Sequence, residues 1–128
     1  MLNFPKNKRL CNKIVIEKMF AKGKRLLISP FLFFYLPEIN KKSQALRSVI
    51  VVPKKKVRSS AKRNMIRRRI IEAYRKNKYF LEDDLIIKGN KVNIGIVFQE
   101  KNEIPYNVLE KKMILGLKNI KKRYEKDI

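Results

Sequence analysis

The segment from Leu26 to Leu36 limits the possible folds of this chain more than any other. Nearly all of its residues are β-branched, aromatic or leucine, a composition typical of β-strands. Successive side chains of a strand point to opposite faces, and here both alternating sets are apolar. The sets are Phe31, Phe33 and Tyr35 on one face and Leu32, Phe34 and Leu36 on the other. The segment therefore predicts a central strand that is apolar on both faces.

Shorter patterns predict the elements around that strand. They indicate a helix over 12–22, a strand over 46–52 antiparallel to the first, a helix over about 61–76, a strand over 92–99 and a last helix from Pro105. Leu85–Ile87 is interpreted as an optional further strand. The predicted fold is α+β: one domain over 1–128, with a single-layer, mostly antiparallel sheet of three to four strands covered by helices. Its order is α-β-β-(β)-α-β-α, after a basic extended arm at 1–9.

The charge balance indicates a polyanionic partner. The chain has 128 residues, and 33 Lys and Arg against 11 Asp and Glu give a formal net charge of +22. Charges of one sign repel one another within a domain, so a partner that neutralises them is expected. Nucleic acid is the first candidate and an anionic membrane surface the second.

Residue types that commonly carry out catalysis or bind metals are scarce. The chain has no His, and its one cysteine, Cys11, can form neither a zinc site nor an internal disulfide. The acidic cluster at 82–84 is interpreted as a solvated loop. We therefore predict no catalytic residue and no metal ligand. Neither a membrane span of roughly 20 apolar residues nor a signal peptide is recognisable, which predicts a cytoplasmic protein.

The segment from Lys54 to Lys76 carries the clearest functional signal. Its twenty-three residues include eleven basic side chains against Glu72 alone. One interpretation is a solvated basic face. Phosphate binding is favoured, because the segment is rich in arginine and because a helix begins in it directly after a lysine run, where backbone N–H groups can also bind phosphate.

The same residues resemble the bacterial ribonuclease P protein subunit. The resemblance is carried by Val52-Pro53-Lys54-Lys55-Lys56 and by the helix that runs from Ala61 to Arg75. Further matches are Asn7-Lys8-Arg9-Leu10, a helix with Ile16, Met19 and Phe20 that ends at Gly23, and the aromatic strand. Together they cover about nine-tenths of the family's layout in its order.

Within the helix, Arg63 and Asn64 match the first two members of the family's Arg-Asn-Arg triplet. Arg67 and Arg68 match its basic pair, and Glu72 matches its acid. Two positions depart from the pattern. Met65 stands in place of the triplet's second Arg, and Ile71 stands where Arg usually precedes the acid, while Arg69 occupies a normally apolar position. The charge of the helix is nearly kept, but its geometry is shifted.

The resemblance implies the protein subunit of a ribonucleoprotein endoribonuclease that removes the 5′ leader of precursor tRNA. It implies that the catalytic groups and the Mg²⁺ ions are held mainly by a catalytic RNA, with the RNA and the precursor tRNA as partners and no protein partner required. It also implies a left-handed βαβ crossover around the basic helix, which periodicity does not predict because right-handed crossovers are the rule.

The residues expected to bind RNA are the basic and amide side chains of the arm, the lysine run and the helix. They are Arg9, Lys54, Lys55, Lys56, Lys62, Arg63, Asn64, Arg67, Arg68 and Arg75. In the family the single-stranded leader lies between the first helix and one face of the sheet. Phe20, Phe33 and Tyr35 are the candidates for stacking on its bases, with core packing as the alternative for each. Leu32, Phe34 and Leu36 would then fill the core beneath the helices.

Three other classes of protein remain as alternatives. A ribosomal or other structural RNA-binding protein shares the size, the charge and the α+β pattern. A DNA-binding helix-turn-helix protein is disfavoured, because the basic helix follows a strand rather than a short helix. A membrane-surface helix is also disfavoured, because the apolar face of the basic helix is narrow and contains neither Trp nor Phe.

Overall fold

The computed structural model describes residues 9–10 and 12–127, which form four strands and four helices. In chain order these are α1 Lys13–Lys22, β1 Lys24–Ile28, β2 Phe31–Pro37, β3 Leu46–Val51, α2 Ser60–Asn77, α3 Tyr79–Lys88, β4 Val92–Phe98 and α4 Tyr106–Asp127. The predicted α+β order is confirmed, with one additional helix, α3. Most of the predicted arm at 1–9, and Cys11, lie outside the described residues. No helix in the described part of the chain is long and apolar enough to cross a membrane.

The sheet has the strand order β1-β2-β4-β3. β2 pairs antiparallel with both β1 and β4, whereas β4 pairs parallel with β3. The expectation that the strand over 46–52 pairs antiparallel with the first strand is therefore wrong. Because β3 and β4 are parallel neighbours, the connection between them through α2 and α3 is a crossover, as the family resemblance implies. Its hand stays a prediction.

The long apolar segment forms a hairpin and not a single strand. Ser29 and Pro30 separate β1 from β2, and Leu26 is paired with Phe33 across the turn. A Ser-Pro pair is a turn signal, and proline cannot donate a backbone hydrogen bond inside a sheet. The apolar residues on both sides of it obscured that signal.

Two further predictions were wrong: the optional strand at Leu85–Ile87 and the solvated acidic loop at 82–84. Both segments belong to α3. Glu82 is buried and its carboxylate lies 3.4 Å from Lys78 Nζ. Residues 81 and 85 are buried on the same face of the helix. Gly89, with φ of 70°, ends α3 in the left-handed conformation that glycine adopts most readily.

The two faces of the sheet are covered by different helices. The larger core lies between the sheet and α2, α3 and α4, and it includes the predicted inward residues Ile66, Ile70, Ala73 and Tyr74 of α2. A smaller cluster lies beneath α1, where Met19 packs with Leu10 and Phe34. The apolar face of α4 packs in the larger core as predicted, through Leu109, Met113, Leu117, Ile120 and Tyr124.

Candidate RNA interface

The lysine run lies on a short turn that holds its side chains outward. The carbonyl oxygen of Pro53 accepts hydrogen bonds from the backbone N–H groups of Lys56 at 3.1 Å and Val57 at 3.0 Å. Val57 is buried in the larger core, so it anchors the turn. The three lysines at 54–56 are exposed. The turn therefore presents three adjacent cations at the end of β3.

The start of α2 follows this turn directly. Ser59 caps the helix, because its hydroxyl oxygen accepts a hydrogen bond from the backbone N–H of Lys62 at 3.3 Å. The first N–H groups of a helix have no partner within the helix and carry partial positive charge. The lysine run and the helix start thus place side-chain and backbone donors side by side.

Arg63 links the turn to the helix. Its Nη1 donates to the carbonyl oxygens of Val57 at 3.0 Å and Arg58 at 2.8 Å. Such charge-assisted hydrogen bonds are stronger than neutral ones. The guanidinium of Arg63 is therefore committed in part to fixing the turn, a role that the sequence did not predict.

The outward face of α2 carries the remaining predicted residues. Lys62, Asn64, Arg67 and Arg68 are exposed, and in the described part of the chain none of the three cations forms a salt bridge. A surface pocket separates this face from the end of β3. It is lined by Ile50, Val51, Val52, Arg63, Asn64 and Arg67. The strand residues give the pocket an apolar floor, and the helix residues give it a polar wall.

Other arginines of α2 are paired with carboxylates. Arg75 donates to Glu72 from Nη2 at 2.7 Å and from Nε at 3.1 Å. This hydrogen bond, with the opposite charge, lowers the pKa of Glu72 and raises the pKa of Arg75. The Nη1 atom of Arg69 lies 3.7 Å from Oε2 of Glu103. Arg75 was predicted to bind RNA, but the structure places it about 18 Å along the helix from Arg63 and in an ion pair.

The three aromatic residues predicted for a leader cleft do not lie together. Phe33 and Tyr35 are 0% and 2% exposed in the larger core, so their predicted position at a surface cleft is wrong. Phe33 packs against Gly116 of α4, whose missing side chain makes room for the ring. Phe20 is half-buried on the opposite face, with its ring centroid 4.8 Å from that of Phe34. The face of β2 with Phe33 and Tyr35 therefore meets the larger core, and the face with Phe34 packs against α1.

On the α1 side, a polar cluster missed by sequence reasoning joins three elements. Glu38 accepts hydrogen bonds from Asn93 Nδ2 at 2.6 Å and Arg47 Nη2 at 3.4 Å, and from the backbone N–H of Asn40 at 3.0 Å. Burial acts to raise the pKa of Glu38, but these hydrogen bonds and the charge of Arg47 outweigh it and lower the pKa. The cluster fixes the turn after β2 to β3 and β4. No sequence pattern indicated it, because the three residues are far apart in the chain.

Arg9 lies at the outer edge of the sheet. It forms a β-bridge with Ser48, and the neighbouring Leu10 N–H donates to the Ser48 carbonyl oxygen at 2.8 Å. The side chain of Arg9 is exposed. In the described residues no group of three His, Cys, Asp or Glu side chains is placed to hold a metal ion.

Comparison with known proteins decides the family. The family description "Ribonuclease P" matches residues 4–121. The chain belongs to the ribonuclease P protein family. The ribonuclease P protein component of Porphyromonas gingivalis is 28% identical over 110 residues, covering 84% of this chain and 79% of the relative. That of Petrotoga mobilis is 34% identical over 77 residues, covering 60% and 62%.

Solved structures show the same fold. The ribonuclease P protein of Thermotoga maritima superposes with a TM-score of 0.67 at 22% identity, covering 88% of this chain and 96% of that one. The Staphylococcus aureus protein gives a TM-score of 0.63 at 19% identity, with coverage of 88% and 94%. The prediction of a ribonuclease P protein component is confirmed, and nothing in the comparisons favours the ribosomal alternative.

The positions that depart from the family pattern have structural explanations in this family member. Ile71 packs against the larger core, and Met65 is half-buried. Arg69, at the normally apolar position, reaches Glu103 in the loop before α4. The positions that differ from the family pattern therefore lie on the partly buried sides of α2. The exposed residues Arg67 and Arg68 keep the basic side chains of the pattern.

Proposed function

We propose that this chain binds the catalytic RNA of ribonuclease P through the surface formed by the lysine turn and the start of α2. One observation carries the proposal. Seven exposed cations meet there and none of them has a salt bridge within the described residues: Lys54, Lys55, Lys56, Arg58, Lys62, Arg67 and Arg68. Unpaired arginine and lysine beside a helix N-terminus form a strong phosphate-binding surface.

We further propose that the 5′ leader of precursor tRNA binds on the α1 side of the sheet. Of the three aromatic residues predicted to stack on leader bases, Phe20 is the one that borders solvent. Its ring is held against Phe34, and the guanidinium of Arg25 lies 5.2 Å from the centre of the Phe34 ring. A ring and a cation at one place suit an unpaired base and its phosphate.

In this proposal the protein positions the substrate and does not cleave it. Mg²⁺ held mainly by the RNA would activate the attacking water and stabilise the charge that develops on the phosphate. The chain contributes cations that offset the repulsion between two RNA molecules, and a surface for unpaired nucleotides. Both contributions raise affinity for the substrate most strongly when Mg²⁺ is scarce.

The test is cleavage of precursor tRNA at low Mg²⁺ by the ribonuclease P RNA of the same genome, with and without the protein. Substrates carry a leader of either several nucleotides or a single nucleotide, so that both contain the bond to be cleaved. We expect stimulation by the protein to require the longer leader. Equal stimulation of both substrates would contradict leader binding, and no stimulation would contradict the whole proposal.

A pair of variants on α1 sharpens the test. Phe20→Leu keeps an apolar side chain against Phe34 but removes the ring, so we expect it to weaken the leader-dependent part of the stimulation by about 1–3 kcal/mol. Ile14→Ala is the matched control, because Ile14 is 76% exposed on the same helix. Equal losses in the two variants would contradict the role of Phe20.

A further inference from the structure

We infer that a second basic surface, at the opposite edge of the sheet from β3, binds phosphates of the RNA. It is formed where the end of α1, the strand β1 and the last turns of α4 meet. We call it the β1-edge patch, and its residues are Lys22, Lys24, Arg25, Lys122 and Arg123, of which Arg25 also borders the proposed leader site. The inference uses the RNA partner of the proposed function and adds a contact that the α2 surface does not require.

The fold brings these residues together from distant parts of the chain. Residues 22–25 and 122–123 are almost a hundred positions apart in sequence, yet α4 packs beside β1. Arg123 Nη1 donates to the carbonyl oxygen of Arg25 at 3.4 Å. Neighbouring side chains of β1 point to opposite faces, so Lys24 and Arg25 extend the patch around the edge of the sheet.

Among the described residues, no acidic side chain forms an ion pair with the patch. All five cations are exposed, and none takes part in a salt bridge within the described residues. Glu125 follows Arg123 by two positions, but it points to the other flank of α4 and bonds Lys88 of α3 at 2.8 Å. Glu125 is thus held at the α3 side of α4, and among the described side chains no acid pairs with Arg123 at the β1 side or with Lys122 on the outward face next to it.

The patch is separate from the surface at the start of α2. In the strand order β1-β2-β4-β3, β1 and β3 are the two outer strands, and α2 begins just after β3. Three strand spacings of about 4.8 Å put roughly 14 Å of sheet between the edges. An RNA segment bound at one edge of the sheet therefore leaves the other edge free. If RNA binds at both edges, the protein contacts RNA on two sides.

RNA fits this patch better than a membrane surface does. A helix that lies on a membrane needs a free apolar face to insert among the lipids, but the apolar face of α4 is buried in the larger core. Arg25 lies over the ring of Phe34, so its planar guanidinium is held at the surface. Such a group binds phosphate through two N–H donors at once.

Affinity for the ribonuclease P RNA, measured over a range of KCl concentrations, tests the inference. The variant Lys22→Gln, Lys24→Gln, Lys122→Gln removes three charges and leaves Arg25 and Arg123, which contact other groups. The matched control is Lys41→Gln, Lys42→Gln, Lys111→Gln, which removes three exposed charges elsewhere. A third variant, Arg67→Gln with Arg68→Gln, reports on the α2 surface.

We expect the log–log salt slope of the patch variant to fall by about 2 units, because each lost phosphate contact lowers it by about 0.7–0.9. The control should change by less than 1 unit, and its affinity should exceed that of the patch variant at least fivefold near physiological salt. Losses in the patch and α2 variants should add when the two are combined, since separate contacts are independent.

Two outcomes would overturn the inference. If the α2 variant loses affinity while the patch variant matches the control, the proposed RNA interface stands and the second surface is absent. If the patch variant keeps its salt slope but loses binding to phosphatidylserine vesicles that the wild type binds, the partner is a membrane surface. An unfolding temperature of the patch variant no lower than that of the wild type ensures that a loss of affinity reports on contacts and not on folding.

Discussion

The arginines of α2 are of three kinds, according to what their guanidinium groups contact. Arg63 donates to carbonyl oxygens of the preceding turn, and Arg69 and Arg75 pair with carboxylates. Arg67 and Arg68 are exposed, with no salt bridge within the described residues. The sequence presents them as one basic set, because residue type and helical spacing do not reveal which acid or carbonyl group a side chain will meet.

Arg63 is predicted to contribute to stability as well as to RNA binding. Arg63→Ala removes two hydrogen bonds to the turn, so the free energy of unfolding should fall by about 1–3 kcal/mol in denaturant titrations. Arg67→Ala, the control on the same helix, should change it by less than about 0.5 kcal/mol. A similar small effect in both variants would show that the contacts of Arg63 do not stabilise the turn.

Arg68 and Arg75 are predicted to differ in RNA binding despite their place on one helix. Arg68→Ala should flatten the log–log salt dependence of binding by about one unit, as expected for one lost phosphate contact. Arg75→Ala should change the slope by less, because Glu72 already holds the guanidinium. Equal slopes for Arg68→Ala and the wild type would contradict the assignment of Arg68 to a phosphate contact.

Glu38 should make stability depend on pH. Its pKa lies below the ordinary value of 4.5 in the folded protein, so the folded state binds the proton less tightly than the unfolded chain does. The carboxylate therefore stabilises the fold above that value, and the stabilisation is lost as pH falls through the lowered pKa. Glu38→Gln should cost roughly 1 kcal/mol at pH 7. The difference from wild type should shrink between pH 5 and pH 3, and a gap independent of pH would argue against this role.

At the scale of elements, the contact between α4 and β2 depends on one glycine. Alanine normally stabilises a helix by about 1 kcal/mol over glycine. At Gly116, however, an added Cβ would overlap the Phe33 ring, which is fully buried, so the ring or the helix would have to shift within the core. We therefore expect Gly116→Ala to lower the free energy of unfolding by about 1–3 kcal/mol.

A second substitution checks the cause of that loss. Phe33→Leu shortens the side chain that the new methyl group would meet, so it should cost less stability in the Gly116→Ala background than alone. Costs that simply add in the double variant would mean that the two residues do not interact through this contact.

Elements with one clear apolar face were predictable from the sequence together with their orientation, whereas the strand with two apolar faces was predictable only as a strand. The helices α1, α2 and α4 were placed correctly because polar and apolar residues alternate in them at helical spacing. The β2 strand is apolar on both faces, so the sequence could not say which face meets the larger core. The 85–87 segment is apolar and short, and only the burial of Leu81 and Leu85 on one helical face distinguishes a helix from a strand there.

Strand pairing belongs to the whole molecule and was beyond the sequence patterns. The neighbours of β3 depend on where the long connection through α2 and α3 returns the chain, and in this fold it returns β4 between β2 and β3. That arrangement places the end of β3 and the start of α2 at one edge, and β1 with the end of α4 at the other. The basic segment over 54–76 was recognised from its residues, whereas the β1-edge patch exists only through this strand order.

The net charge of +22 predicts opposite effects of salt on folding and on binding. Repulsion among the cations destabilises the compact state, and salt screens it over about 10 Å at 0.1 M. Raising KCl from 50 to 500 mM should therefore raise the unfolding temperature of the free protein by several degrees, since about 1 kcal/mol corresponds to roughly 4 °C at this size. Over the same range RNA affinity should fall steeply, because the free energy gained by releasing counterions from RNA decreases as the salt concentration rises. The control variant with Lys41, Lys42 and Lys111 replaced by Gln has less repulsion to screen, so its unfolding temperature should rise less. A fall in the unfolding temperature with salt would mean that specific ion pairs outweigh the general repulsion, and the excess charge would then need no partner to offset it.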